Sequence, residues 1–314
     1  MSDPKLRFRF REPTVDTNLP ISDGTIKVEG FDLEVMDVGE EGRFAADARD
    51  EGFGALLQRK VEGAPDVCIP AFPNRKFRLS YIYVNAAAGI EGPKDLEGKR
   101  VGIAGWGNTA GVWARGALQN YYGVDLTALR WLSARPDAGS TAPGIEIAKL
   151  DGGLNEMLVQ GALDAVIEPN VPPSITERDP RVRRLFPDYK AEEQRYFRDT
   201  GIFPISHAVT LSRGFVERHP KAPVALLEAF RKARDLAFYR ILGPDPQYMV
   251  MSWASAAVEE QRQLMGDDYW PYNLESNRRS LEALTLFAHQ QGLTPYRVDY
   301  ESFFSPEAAA LPGA

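Results

Sequence analysis

The pattern of apolar and polar positions changes character along the chain. In the N-terminal third, short runs at residues 6–10 and 27–38 predict strands, the second interrupted by Gly30, with a turn at Asp23-Gly24 between them. Residues 43–60 read as helix, weakened by Gly52 and Gly54, and the β-branched, aromatic run at 78–85 (RLSYIYVN) reads as a strand. A proline-opened helical turn is predicted at 93–96. From Lys99 the pattern becomes regular: strand 101–104, helix 109–122, strand 130–132, a Pro/Gly-rich stretch at 134–144, helix 151–160, strand 165–167. Strands alternating with helices predict a mostly parallel sheet, with ligands beyond the carboxyl ends of its strands, where 105–109 and 168–170 fall. From Val209 the pattern turns helical, with helices predicted up to Leu242, at 246–265 and at 274–291.

The segment KRVGIAGWGNTAGVWARGALQ (99–119) is the most informative. A short strand meets the turn Gly105-Trp106-Gly107, and Asn108 and Thr109 then cap a helix. Such a turn leaves backbone N–H groups and the positive end of a helix dipole free to receive a carboxylate or phosphate. A βα turn capped by Asn108 or Thr109 with no ligand fits the same residues. Arg115, two turns into the helix, favours an anion.

At 314 residues the chain exceeds a comfortable single core, so two lobes are expected. Its 44% hydrophobic and 26% charged content describes a globular chain, and a net charge of −7 argues against a general nucleic-acid surface. The single cysteine, Cys68, excludes an intrachain disulfide and reads as a buried structural thiol. No run approaches the ~20 apolar residues of a membrane span. The start, MSDPKLRFRFREP, has scattered charges and no apolar core, so a cytoplasmic protein is expected. There is no histidine pair at metal-ligand spacing, no Cys/His cluster, no Walker-type loop and no complete dinucleotide fingerprint, so no metal is expected, although a Glu/Asp magnesium site stays open with no motif behind it.

Five runs carry a resemblance: IPAFPNRKFRLSYIYVNAAAGIEGPKDLEGKRVGI (69–103), YYGVDLTALRW (121–131), LNEMLVQGALDAVI (154–167), TGIFPISHAV (200–209) and DDYWPYNLESNRRSLEAL (267–284). In this order and spacing the chain resembles the 4,5-dihydroxyphthalate decarboxylase family. The resemblance implies an α/β, two-lobed type II periplasmic-binding-protein-like fold with a ligand cleft between the lobes. It also implies lobe one from residues 1–90 plus 208–314 and an inserted lobe two from 91–207, with crossings near 86–93 and 207–211. The implied activity is a cofactor-independent decarboxylase acting on a small aromatic carboxylate of the hydroxyphthalate or hydroxybenzoate type. The rival is a non-catalytic solute-binding protein for a small organic anion, of the ABC-transporter type. A homo-oligomer is allowed for, and no motif decides the oligomeric state.

Such a reaction needs cationic or N–H donors for carboxylate and a proton donor near the ring carbon that loses it. Of three histidines, His219 and His289 read as surface residues. His207, in the apolar run GIFPISH, is either a satisfied core histidine or a cleft residue that moves a proton, and the family resemblance favours the latter. Arg75, Arg78 and Arg115 can each clamp a carboxylate or sit in ordinary ion pairs. Trp106 can stack on a ring or simply pack. Ser80, Asn108, Thr109, Glu168 and Asn273 complete the substrate-binding candidates, and for Asn273, Asn277 and Arg278 the motif does not separate contact from scaffold. The N-terminal part departs from the family pattern. Residues 14–18 lack the arginine of an Asp-Tyr-Asp-Arg-Thr run, 52–57 lack the carboxylates of a Glu-Phe-Asp-Val-Ser-Glu-like run, and Leu79 replaces the histidine of Phe-Arg-His. A changed substrate or reaction is expected.

Overall fold

A computed structural model describes residues 3–11, 15–36, 45–135, 140, 142–243, 248 and 250–312. Its strands are β1 (Lys5–Arg9), β2 (Asp32–Val35), β3 (Ala48–Gly52), β4 (Val67–Ile69), β5 (Ile82–Asn85), β6 (Arg100–Ile103), β7 (Arg130–Ser133), β8 (Ile147–Lys149), β9 (Ala165–Ile167), β10 (Val182–Arg184) and β11 (His207–Leu211). Its helices are α1 (Leu19–Ser22), α2 (Phe53–Val61), α3 (Thr109–Asn120), α4 (Leu154–Val159), α5 (Pro173–Thr176), α6 (Tyr189–Thr200), α7 (Arg213–Arg218), α8 (Ala222–Leu242), α9 (Ala254–Met265), α10 (Arg278–Gln290) and α11 (Pro306–Ala309).

The architecture is α/β with two lobes, each built on a sheet. One sheet has the order β2-β1-β3-β11-β4 and the other β10-β5-β9-β6-β7-β8. In the second, β6, β7, β8 and β9 run parallel, as the strand–helix alternation predicts. β5 joins it antiparallel to β9, and β10 pairs antiparallel with β5 at that edge. The chain therefore leaves the first sheet between Ile69 and Ile82, and returns between Arg184 and His207. The sequence had put the first crossing at 86–93. The run at 79–85 looks like any half-apolar strand, and only its partners β9 and β10 assign it to the second sheet.

Three local expectations are corrected. The helix expected over 43–60 is instead a strand, β3, followed by α2 (residues 43 and 44 lie outside the described residues). The strand reads ARDEG and is nearly all buried. Its charges are neutralised internally: Arg49 Nη2 lies 2.6 Å from Asp66, Arg59 Nη1 lies 3.2 Å from Glu51, and Arg59 also pairs with Asp66. Apolar alternation is absent because ion pairs, not hydrophobicity, settle this strand in the core. Likewise, residues 207–211 form β11, between β3 and β4, whereas the pattern reads as turning helical from Val209. A short buried apolar run carries no periodicity that separates strand from helix. Finally, the helix expected over 246–265 begins only at Ala254, and residues 246, 247 and 249 of that reading lie outside the described ones, as do 136–139 and 141 of the Pro/Gly-rich stretch.

One continuous apolar core spans both sheets. Helix α3, buried from Thr109 to Leu118, is its axis. α10 packs directly on it: a Cβ at Gly116 would lie 2.0 Å from the Phe287 ring, so only glycine allows this approach. Trp113 donates from Nε1 to Ile205 O at 2.7 Å, tying α3 to the returning crossover. Burying an aromatic side chain of this size contributes roughly 4–6 kcal/mol before entropy is subtracted. Cys68 is buried in β4, and burial pushes its thiol up to about 12, as expected of a structural cysteine. Among the described residues no helix is long and apolar enough to cross a membrane.

Candidate active site between the lobes

A cavity of about 370 Å³ opens where the two sheets meet. Arg11, Gly52, Ala55, Gln58 and His207 line it from the first lobe. Gly105, Gly107, Asn108, Thr109, Ala110, Arg135 and Pro169 line it from the second, with Arg78 and Ser206 from the crossovers. Among the described residues three arginines and no carboxylate are on that wall, so a chain of net charge −7 presents a cationic pocket there.

His207 opens β11 and faces Gly52 across the antiparallel ladder. Its Nδ1 lies 2.6 Å from Oδ1 of Asp50, which is almost fully buried on β3. Its Nε2 lies 3.3 Å from Arg11 Nη1. An arginine only donates, so this contact assigns a neutral imidazole with the proton on Nδ1 and the Nε2 lone pair turned to the cavity. A buried carboxylate behind an imidazole fixes its tautomer and stabilises the imidazolium when one forms.

Arg78 is buried and donates from Nη2 to Ser206 Oγ at 2.6 Å. Among the described residues its Nε has no hydrogen-bond partner and no carboxylate lies within ion-pair distance of it, while its guanidinium lies 5.2 Å over the Tyr81 ring. Burial, only partly offset by nearby Tyr81, holds its guanidinium down at about 10. A cation so placed is stabilised by an incoming anion.

The glycine turn is more self-contained than its sequence suggests. Asn108 caps α3 by accepting from the Ala110 and Gly111 amides at 3.0 and 3.4 Å, and its own N–H donates to Gly105 O at 3.3 Å. Of the two amides expected to hold an anion, the Asn108 amide is therefore taken. Thr109 places its hydroxyl toward the other lobe, accepting from Gly54 N at 2.9 Å. Gly54 permits that approach, since a Cβ there would sit 2.5 Å from Gly107 O.

The remaining candidates lie elsewhere. Trp106 is fully buried, donates to Gln291 O at 2.9 Å and packs edge-on against Trp131. Arg115 lies 3.9 Å over the Trp106 ring and donates to Gln291 Oε1 at 2.8 Å and Trp106 O at 2.5 Å. Arg75 lines a separate cavity of about 270 Å³, donating to Asn277 Oδ1 and Phe203 O at 2.6 and 2.8 Å. Ser80 donates through both N–H and hydroxyl to Glu193. Asn273 Oδ1 accepts from Ser276 N, capping a turn. Glu168 is half-buried beside the cavity residue Pro169, and burial raises its carboxyl above the usual range. Of the other histidines, His219 packs against Phe31 and Phe215 and His289 contacts Thr294 O.

Sequence reasoning missed Arg11, Asp50, Gln58, Arg135 and Ser206. Ser206 was adjacent to His207 and could have been found. Asp50 could have been found only if ARDEG had been read as a strand pairing with 207–211. Among the described residues no cluster of His, Cys, Asp and Glu could hold a metal ion.

Along nearly its whole length the chain aligns with a curated protein named 4,5-dihydroxyphthalate decarboxylase from Comamonas testosteroni. They are 27% identical over 320 residues, covering 96% of this chain and 97% of the relative. The chain is similar to the 4,5-dihydroxyphthalate decarboxylases. No protein-family model matches it. In fold it is similar to the periplasmic aliphatic sulphonate binding protein SsuA from Escherichia coli, with TM-score 0.57, 16% identity and coverage of 96% and 98% of the two chains. It is also similar to the desulfurization enzyme DSZB, with TM-score 0.54, 15% identity and 98% of each chain covered.

Proposed function

We propose that the chain is a cofactor-independent decarboxylase acting on a small aromatic carboxylic acid of the hydroxyphthalate or hydroxybenzoate type. The observation that carries this reading is the Asp50–His207 pair, which turns Nε2 into a cavity also lined by the buried cation Arg78. A substrate carboxylate would take its hydrogen bonds from Arg78, with Arg11 and Arg135 within the same cavity. Arg11 leaves Nε2 for that carboxylate, and Nε2 takes a proton from water to give an imidazolium stabilised by Asp50. It gives that proton to the ring carbon that bears the departing carboxylate, while a para hydroxyl loses its proton to water and the ring becomes a dienone. The carbon–carboxylate bond then breaks, its electron pair restores aromaticity with the oxygen as phenolate, carbon dioxide leaves, and water returns the hydroxyl proton. One proton from water thus replaces one carbon dioxide per turnover, and the imidazole ends neutral as it began. A positioned acid of this kind contributes typically ~10²–10⁴ in rate.

The second reading is a solute-binding protein for a small organic anion. The likeness of fold to the sulphonate-binding protein favours it, and it would use Arg78 and leave His207 idle. A thermal-shift screen of hydroxybenzoates and phthalates, followed by carbon dioxide release assays on the hits, separates the two. A ligand at ~100 times its Kd adds about 2.7 kcal/mol of stability. Binding with carbon dioxide release supports the decarboxylase, and binding without release across all hits supports the carrier.

A further inference from the structure

Asn18 breaks a local rule. It occupies the N-cap of α1 (φ −107°, ψ −29°), where an asparagine side chain ordinarily accepts from the amides of the first turn, yet it makes no such bond. The side chain is fully buried and directed elsewhere: Nδ2 lies 3.2 Å from Oδ2 of Asp50. A carboxylate only accepts, so the contact fixes which end of the amide faces Asp50. The other end, Oδ1, is buried with no hydrogen-bond partner among the described residues. An amide that abandons its cap and leaves one end unsatisfied is where a functional constraint is expected to override local preference.

The two oxygens of Asp50 are thus divided. Oδ1 meets Nδ1 of His207 at 2.6 Å, and Oδ2 meets Asn18. The β3–β11 ladder fixes the two backbones, but it leaves the carboxylate free to rotate about its side-chain torsions. We propose that Asn18 is a positioning residue for proton transfer, clamping Oδ2 of Asp50 so that Oδ1 holds the His207 imidazole with Nε2 facing the cavity. The catalytic meaning of this role rests on the decarboxylase reading, whereas the state of the imidazole is measurable without turnover. The charged and titratable groups facing the pair are Arg11 at Nε2, Arg78 and Arg135 on the cavity wall, and Tyr272, which feels both Asp50 and Asp16.

The test is an NMR titration of the imidazole nitrogens of His207 in the full chain, for wild type, Asn18→Leu and Asn18→Ser. Wild type should show a single Nδ1–H tautomer when neutral. Asn18→Leu keeps the volume but removes the donor, and should mix the tautomers and lower the titration midpoint. Asn18→Ser, with a hydroxyl donor, should restore part of both. In turnover, kcat of Asn18→Leu should fall roughly tenfold to a hundredfold with KM little changed, as for other outer partners of reacting groups. The alkaline limb of its pH profile should move with the NMR midpoint. An unchanged tautomer and midpoint in folded Asn18→Leu overturns the proposal. Should that variant not fold, the wild-type Asn18 side-chain amide decides. Its proton resonances should titrate with the His207 midpoint, and indifference to that titration overturns the proposal equally. Altered tautomers in Asn18→Leu together with a wild type that releases no carbon dioxide would uphold the positioning and reject the decarboxylase reading.

Discussion

Arg78 and Arg115 are both buried and both lie close to the turn between β6 and α3, but their surroundings differ in kind. Arg115 sits over the Trp106 ring and donates to Gln291 and to Trp106 O, so its neighbours are the packing of α3 against the end of α10. Arg78 donates to one hydroxyl, lines the cavity with His207, and has no carboxylate within ion-pair distance among the described residues. Burial alone does not mark an arginine that binds ligand. What marks it is whether its terminal nitrogens are already engaged by the protein and whether it lines the cavity that holds His207. The same contrast separates Arg78 from Arg75, three residues earlier, whose two terminal nitrogens are engaged by Asn277 and Phe203.

The largest effect should come from the pair that Arg78 faces. His207→Gln and Asp50→Asn should each lower kcat by ~10²–10⁴ while ligand affinity stays close to wild type, read from carbon dioxide release and thermal-shift titration side by side. Next, Arg78→Ala should weaken binding of an aromatic carboxylate roughly ten- to a hundredfold, the value of a charge-assisted hydrogen bond, with a smaller change in kcat. Equal affinity in that variant would remove the distinction between the two arginines. Arg115→Met should do the opposite. It leaves Gln291 Oε1 and Trp106 O without their donor, so stability should fall by about 2–4 kcal/mol in a denaturant titration while the folded fraction keeps its kinetic constants. The smallest effect concerns Glu168. Its folded-state carboxyl is raised by burial, so the protonated form is favoured by folding, and its stabilising contribution is present at acid pH and lost as pH rises above the usual carboxylate range. Glu168→Gln should therefore be more stable than wild type at neutral pH, with the difference vanishing under acid conditions in parallel melts.

The sequence made the second lobe readable because its strands and helices follow one another with clean periodicity, and Asn108 indeed caps α3. His207 was legible as a cleft candidate mainly through the family resemblance, because its place in an apolar run fits a core histidine equally well. Asp50 was not, since a strand with three consecutive charged residues, two of them held by ion pairs, carries no period-2 hydrophobic signal. Arg115 misled for a geometric reason. Its side chain folds back to the turn from the core side, where it is held under Trp106 by Trp106 O and Gln291 Oε1 and does not line the cavity. Trp106 misled because a residue in a turn can point to either side, and here Gly105 and Gly107 line the cavity while the indole between them enters the core. Arg11 lies far from His207 in sequence, and only the pairing of β1 with β3 brings the two together.

The most direct test of the Asp50–His207 pair as proton donor is turnover in deuterium oxide, using a hydroxyphthalate or hydroxybenzoate that binds in the thermal-shift screen. Wild type should release carbon dioxide and give a product with one deuterium at the ring carbon that lost its carboxylate. His207→Gln should bind the same acid and form that labelled product at least a hundredfold more slowly, the lower end of what a positioned acid contributes at roughly 10²–10⁴. Labelled product formed by His207→Gln at the wild-type rate, or bound acid recovered intact from wild type, would contradict the account.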